Sequence, residues 1–143
     1  MADFLERKQV EGPTIVVVED HDDLRTYISA FLTQRGASVI EDRNGIEGLE
    51  AVRAHRPALV LSDILMPEAD GFEMLREIRA FENDGQTPVI AMTAILSEAD
   101  CEHTLAAGFN VYLPKPFTPN SLVETINSVL SDSAGRLGDH GSL

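Results

Sequence analysis

A run such as Ala58-Leu59-Val60-Leu61-Ser62 has no apolar–polar alternation. As a strand it therefore needs cover on both faces, a condition met in a parallel sheet flanked by helices. The run delivers an acid, Asp63, and Met66-Pro67 then breaks the chain before Asp70-Gly71 opens a new helical pattern. A carboxylate at the carboxyl end of a central parallel strand stands where open α/β sheets gather their ligands. Further strands of this kind, and the residues at their carboxyl ends, decide the chemistry open to the chain.

Residues 1–13 form a polar leader ending at Gly12-Pro13, and Thr14–Val18 (TIVVV) is a β-branched buried strand followed by Glu19-Asp20. Asp22 and Asp23 open a helix whose apolar residues Leu24, Tyr27, Ile28, Phe31 and Leu32 share one face, with Gly36 placed to stop it. A short strand, 38–41, comes next. Asn44 with Glu47 resembles a capping box for a helix through Ile46, Leu49 and Val52, which ends before Pro57. After the Asp63 strand, a helix capped by Asp70 buries Phe72, Leu75 and Ile78, and Asn83-Asp84-Gly85 makes a turn. Residues 88–93 (PVIAMT) are the fourth strand. Ser97 starts a weakly amphipathic helix through Leu105 and Ala106 to a Gly108 cap, and residues 109–113 are the fifth strand. Thr118-Pro119 starts the last helix, with Leu122, Val123, Ile126, Val129 and Leu130 facing the core. Residues 133–143 form a glycine-rich polar tail.

Five alternations of strand and helix over 14–132 predict an α/β domain, (βα)5, with a doubly wound parallel five-stranded sheet of order 2-1-3-4-5. At 143 residues the chain is long enough for one such core. The single cysteine, Cys101, excludes an internal disulfide and a cysteine-based zinc cage. A formal charge of −13 disfavours direct binding to nucleic acid or anionic lipid. No apolar run is long enough to span a membrane and the leader lacks the apolar centre of a signal peptide, so a reducing cytoplasm is the expected setting.

In that order strands 1 and 3 are neighbours at the switch point, and Glu19, Asp20 and Asp63 converge there. Like charges raise one another's pKa, so a cation is needed, and hard oxygen ligands suit Mg²⁺. Lys115 after the fifth strand adds a positive charge, and Thr93 at the end of the fourth adds a hydroxyl. A carboxylate, a divalent metal, a lysine and a hydroxyl around one spot suit a transferring phosphoryl group, with the carboxylate able to form an acyl phosphate.

From Thr14 to Asp132 the sequence resembles the receiver domain of two-component response regulators, which has a flavodoxin-like fold. Glu19-Asp20, SDILMPEADG around Asp63, Thr93-Ala94 and YLPKPF with Lys115-Pro116 carry the likeness, in order and at the strand ends. The resemblance implies that Asp63 accepts phosphate from a histidine kinase or histidine phosphotransfer protein. It implies that Asp20, Asp63 and the backbone carbonyl of Leu65 ligate Mg²⁺ (or Mn²⁺), with Glu19 acting through water. Thr93 and Lys115 would hold phosphoryl oxygens, Tyr112 would be the aromatic switch, and Lys115-Pro116 would be cis. The protein would be a phosphoacceptor and not a classical enzyme. Its output would be protein–protein contact through the fourth helix, fifth strand and fifth helix, read by a downstream protein or a second copy.

Because no output domain follows in the chain, a stand-alone receiver is expected. A receiver excised from a hybrid kinase or other multidomain regulator, and a phosphorylation-independent binding module, are the alternatives. A phosphatase of the aspartyl-phosphate type would need an acid where Leu65 stands, and an FMN module would not carry EDHDD after its first strand. Glu19 replaces the commoner aspartate of the family, and Pro114 is tolerable only on an edge strand. Leu65 and Ile95, two residues beyond Asp63 and Thr93, are apolar where polar side chains can position attacking water. The expectation is therefore a long-lived acyl phosphate. The four histidines are scattered, with only His21 bordering the site, and Cys101 is expected to be unreactive.

Overall fold

The computed structural model describes residues 12–64, 71–82, 87–94 and 97–130. Its elements alternate as β1 (Thr14–Val18), α1 (Asp22–Gln34), β2 (Ser38–Asp42), α2 (Gly45–His55), β3 (Leu59–Asp63), α3 (Gly71–Glu82), β4 (Val89–Thr93), α4 (Glu98–Ala106), β5 (Val111–Pro114) and α5 (Pro119–Val129). The strands form one sheet of order β2-β1-β3-β4-β5, with every pair parallel. The order agrees with the alternation, and it makes β5 an edge, where Pro114 costs no inner ladder bond. Of the expected leader only Gly12 and Pro13 are described. The 133–143 tail, the Asp70 cap, the turn at 83–85, Leu65 and Ile95 all lie outside the described residues.

Side chains alternate across the sheet with period two and split the core in two. Ile15, Val17, Leu59, Leu61, Ile90 and Met92 pack on one face with Ile28 and Leu32 of α1 and Leu122 and Ile126 of α5. Val16, Val18, Val60, Val89 and Ala91 pack on the other with Ala51 and Val52 of α2 and Met74, Leu75 and Ile78 of α3. Burial of each large aliphatic side chain contributes roughly 1.5–3 kcal/mol, so both faces are needed to hold a sheet this apolar.

Several local expectations shift. The fifth strand begins at Val111, not at residue 109. Phe109 is buried in the second core below the strand, and Asn110 opens the pairing by donating its N–H to the Val89 carbonyl (2.9 Å) and accepting the Val89 N–H on Oδ1 (2.8 Å). Ile46 does not face the core and is 54% exposed. The buried face of α2 is Gly45, Gly48, Ala51 and Val52 instead. A Cβ at Gly48 would lie 2.7 Å from Met74 Sδ and 2.8 Å from Val18 Cγ2, so α2 approaches β1 and α3 more closely than large side chains allow. On α1, Ile28 and Leu32 are buried whereas Tyr27 is 46% exposed. Leu105 of α4 is also exposed, and Thr104 takes the buried position.

The helix ends follow the capping residues. Asn44 Oδ1 accepts the Glu47 N–H (2.9 Å), while Glu47 reaches back to the Arg43 N–H (2.8 Å), a reciprocal cap displaced by one residue. Thr118 and Ser121 form a full capping box with Pro119 in the first turn. Gly71 starts α3 against the exit of β3: its N–H donates to the Ile64 carbonyl (3.2 Å), and a Cβ there would lie 2.7 Å from Ile64 Cα. This close start holds the first turn of α3 against Ile64.

Candidate functional site

Strand register alone assembles the site. Val18 pairs with Ser62, so Glu19 leaves β1 beside Asp63 at the end of β3. Asp63 pairs with Met92, one residue before Thr93, and Thr93 pairs with Pro114, one residue before Lys115. The Lys115 N–H continues the ladder to the Thr93 carbonyl at 2.8 Å, ahead of a cis Lys115-Pro116 bond. Glu19, Asp20 and Asp63 each bring one carboxylate oxygen to within 4.8 Å of the others. Glu19 is 1% exposed and Asp63 7%, while Asp20 opens to solvent.

Lys115 is the counter-charge. Its Nζ donates to Glu19 Oε1 at 3.1 Å and lies 3.6 Å from Asp63 Oδ2. The other Glu19 oxygen, Oε2, accepts the His21 N–H at 3.1 Å. Burial, and then the Asp63 charge, push the Glu19 carboxyl above the usual glutamate range, against the pull of Lys115. A set of three clustered carboxylates, with the Glu19 carboxyl pushed up, is what a hard divalent cation relieves, so the residues fit Mg²⁺. Ser62 turns its hydroxyl to the Asp63 carbonyl (2.8 Å) and leaves the carboxylate for the pocket.

Sequence reasoning brought Glu19, Asp20, Asp63 and Lys115 to one place, and the structure has them there. Thr93 is 2% exposed at the end of β4, next in the ladder to Asp63. Tyr112 lies apart from the carboxylates: it pairs with Ala91, is half-buried against the second core, and has its phenol beside the Cys101 thiol and Glu98. The Cys101 contact chiefly raises the Tyr112 pKa. His21 borders the site as expected, and it also caps α1, its Nδ1 accepting the Leu24 N–H at 3.2 Å.

Two features were not foreseen. Arg25, only 7% exposed, reaches from α1 to the Glu19 carbonyl. Asp42, at the end of β2, accepts the Glu19 N–H on its carbonyl (3.0 Å), while its side-chain Oδ2 is buried with no hydrogen-bond partner. Burial, with Glu47 and Glu50 nearby, pushes the Asp42 carboxyl up to about 6. Such a raised pKa means that the folded protein keeps a proton that the unfolded chain has already lost. Stability therefore falls as pH rises from about 4 to about 6 and levels off above. Solvent screening of this half-buried group limits the effect to about 1–2 kcal/mol. Asp42→Asn is expected to be that much more stable than wild type at about pH 7.5 and equal to it at about pH 4, read by urea denaturation at both.

The fold and this site together define a doubly wound α/β domain with an acidic, lysine-paired pocket at its switch point, and comparison with known proteins says which family that is. The family model for the response regulator receiver domain matches residues 15–127. The polar-differentiation response regulator DivK of Brucella anthropi is 33% identical over 120 residues, covering 84% of this chain and 98% of that one. An uncharacterized 14.6 kDa protein of Leptolyngbya boryana is 38% identical over 112 residues, covering 78% and 86%. Among solved structures, the receiver domain of a Pseudomonas aeruginosa sensor histidine kinase, with a magnesium ion coordinated in its active-site cleft, superposes with TM-score 0.76 at 36% identity (82% of this chain, 97% of that one). The Vibrio cholerae chemotaxis protein CheY4 gives 0.78 at 28% (83% and 99%). The chain belongs to the response regulator receiver domain family and to two-component signalling.

Proposed function

We propose that Asp63 is the phosphoacceptor, charged by a histidine kinase or histidine phosphotransfer protein, with Mg²⁺ held by Asp20, Asp63 and the Leu65 carbonyl. The observation that carries this is the meeting of three carboxylates and Lys115 at the carboxyl ends of β1, β3 and β5. Both Glu19 oxygens already have protein partners, which supports a contact to the cation through water. Held by these residues, the cation would supply positive charge opposite the transferring phosphoryl group. An Asp63 oxygen forms the new O–P bond as the N–P bond to the donor imidazole breaks, and the ring nitrogen takes up a proton. Lys115 and Thr93 then hold phosphoryl oxygens.

Donor approach has support next to the site. A groove of about 460 Å³ is lined by Leu24, Tyr27, Ala94, Pro116 and Phe117 and opens onto Lys115. The switch reading has support in strand parity: Thr93 and Ala91 share one face of β4, and Ala91 pairs with Tyr112. Phosphorylation adds about −1.5 to −2 charge at Asp63. Movement of Thr93 toward it changes the room available to Tyr112, and so the α4–β5–α5 surface that a downstream protein or a second copy reads. Among the described residues no helix is long and apolar enough to cross a membrane, and we place the domain in the cytoplasm.

The test is intact mass after incubation with phosphoramidate and Mg²⁺. The expected result is one added phosphoryl group, lost when EDTA removes the metal. No gain with small donors or with a competent kinase, together with no Mg²⁺ binding, would overturn the reading in favour of a phosphorylation-independent module.

A further inference from the structure

The metal corner is a turn, and turns of this kind need something to fix them. Glu19 is held at four points. Its N–H is bound by the Asp42 carbonyl and its two carboxylate oxygens by Lys115 and His21. The fourth hold is unlike the others: Arg25 Nη1 donates to the Glu19 carbonyl at 2.7 Å, from one turn into α1. The same guanidinium donates through Nη2 to Asp22 Oδ1 at 2.6 Å and lies with Nε 3.5 Å from Glu41 Oε1 on β2. A planar fork gripping one main-chain carbonyl, with its other edges tied to two elements, cannot shift without breaking several bonds at once. Its partners Asp22 and Glu41 are themselves 74% and 46% exposed, so they do not need Arg25 in order to be solvated. The arrangement serves Glu19.

We infer that Arg25 is the positioning residue of the acidic corner: by gripping the Glu19 carbonyl from α1, braced by Asp22 and Glu41, it sets the Glu19–Asp20 turn in the form that takes a divalent cation. This rests on the phosphoacceptor reading and deepens it. The expected sign is unusual. As a positive charge near the site, Arg25 repels a cation, so charge alone predicts tighter metal binding when it is removed. Positioning predicts weaker binding, and a purely structural role predicts lower stability with unchanged affinity.

The experiment is calorimetric titration of the full chain with Mg²⁺ alone, for wild type, Arg25→Met and Arg25→Lys, beside melting in EDTA. Arg25→Met keeps the buried volume and is expected to weaken Mg²⁺ binding about tenfold or more, while saturating Mg²⁺ restores phosphorylation from phosphoramidate. Arg25→Lys is expected to stay nearer Arg25→Met than wild type, because one ammonium cannot span three partners. It carries the test alone if the methionine variant does not fold. Affinity unchanged or tightened in Arg25→Met, or restored to wild type by lysine, would overturn the inference. Failure of wild type itself to bind Mg²⁺ would instead overturn the phosphoacceptor reading beneath it.

Discussion

Asp63→Asn should take up no phosphoryl group under conditions in which wild type gains one, and in metal-free buffer it should melt at a higher temperature than wild type. The first half follows from chemistry: an amide has no anionic oxygen to attack phosphorus. The second half follows from electrostatics. Asp63 is the like charge that helps push the Glu19 carboxyl upward, so an isosteric amide relieves a buried repulsion while Lys115 keeps its shorter bond to Glu19. Mg²⁺ affinity should fall about tenfold or more, since one of three carboxylates is gone. Mass spectrometry, melting in EDTA and metal titration check the three parts. Phosphoryl uptake by Asp63→Asn equal to wild type would move the acceptor elsewhere, with Asp20 the first suspect.

Lys115→Met should lose on both counts. Lys115 is the one cation bridging Glu19 and Asp63 among the described residues, and its side chain is 24% exposed, so most of its length is packed. Removing a preorganised donor to a transferring group costs about 10²–10³ in rate. Among the described residues the buried Glu19 carboxylate is left with the His21 N–H alone, and stability should fall by roughly 1–3 kcal/mol. A second change, Glu19→Gln, should restore much of that stability without restoring phosphorylation, because it removes the stranded charge and not the missing donor. Phosphoramidate kinetics and urea melts of the single and double variants test the pair. If Lys115→Met is phosphorylated at the wild-type rate, the lysine serves only the fold.

The strand order and the acids at the strand ends were legible because a buried parallel strand carries a continuous apolar run, and little besides function places an acid at its end. Each feature that escaped the sequence did so for a physical reason. The face of α2 is made of Gly45, Gly48 and Ala51, where the signal is small size, so Ile46 drew the periodicity to the wrong side. Phe109 looked like strand because an aromatic in an apolar run does, whereas it fills the core beneath β5. Arg25 was invisible, since an arginine in the first turns of an amphipathic helix reads as surface until its backbone partner is known. The orphaned oxygen of Asp42 had no signature at all, because it depends on packing between β2 and α2.

The end of the sheet far from the site is fastened differently. Arg79 on α3 donates to the carbonyls of Thr87 (2.7 Å) and Gly108 (3.2 Å) and to Asn110 Oδ1 (3.2 Å), and Asn110 in turn holds the Val89 N–H. These bonds knot the entrances of β4 and β5 to one another. A displacement at the carboxyl end of β4 would therefore be anchored at its far end. If Thr93 and Lys115 respond to a phosphoryl group as proposed, this tie at the base would confine the response to the rim end of β4 and β5.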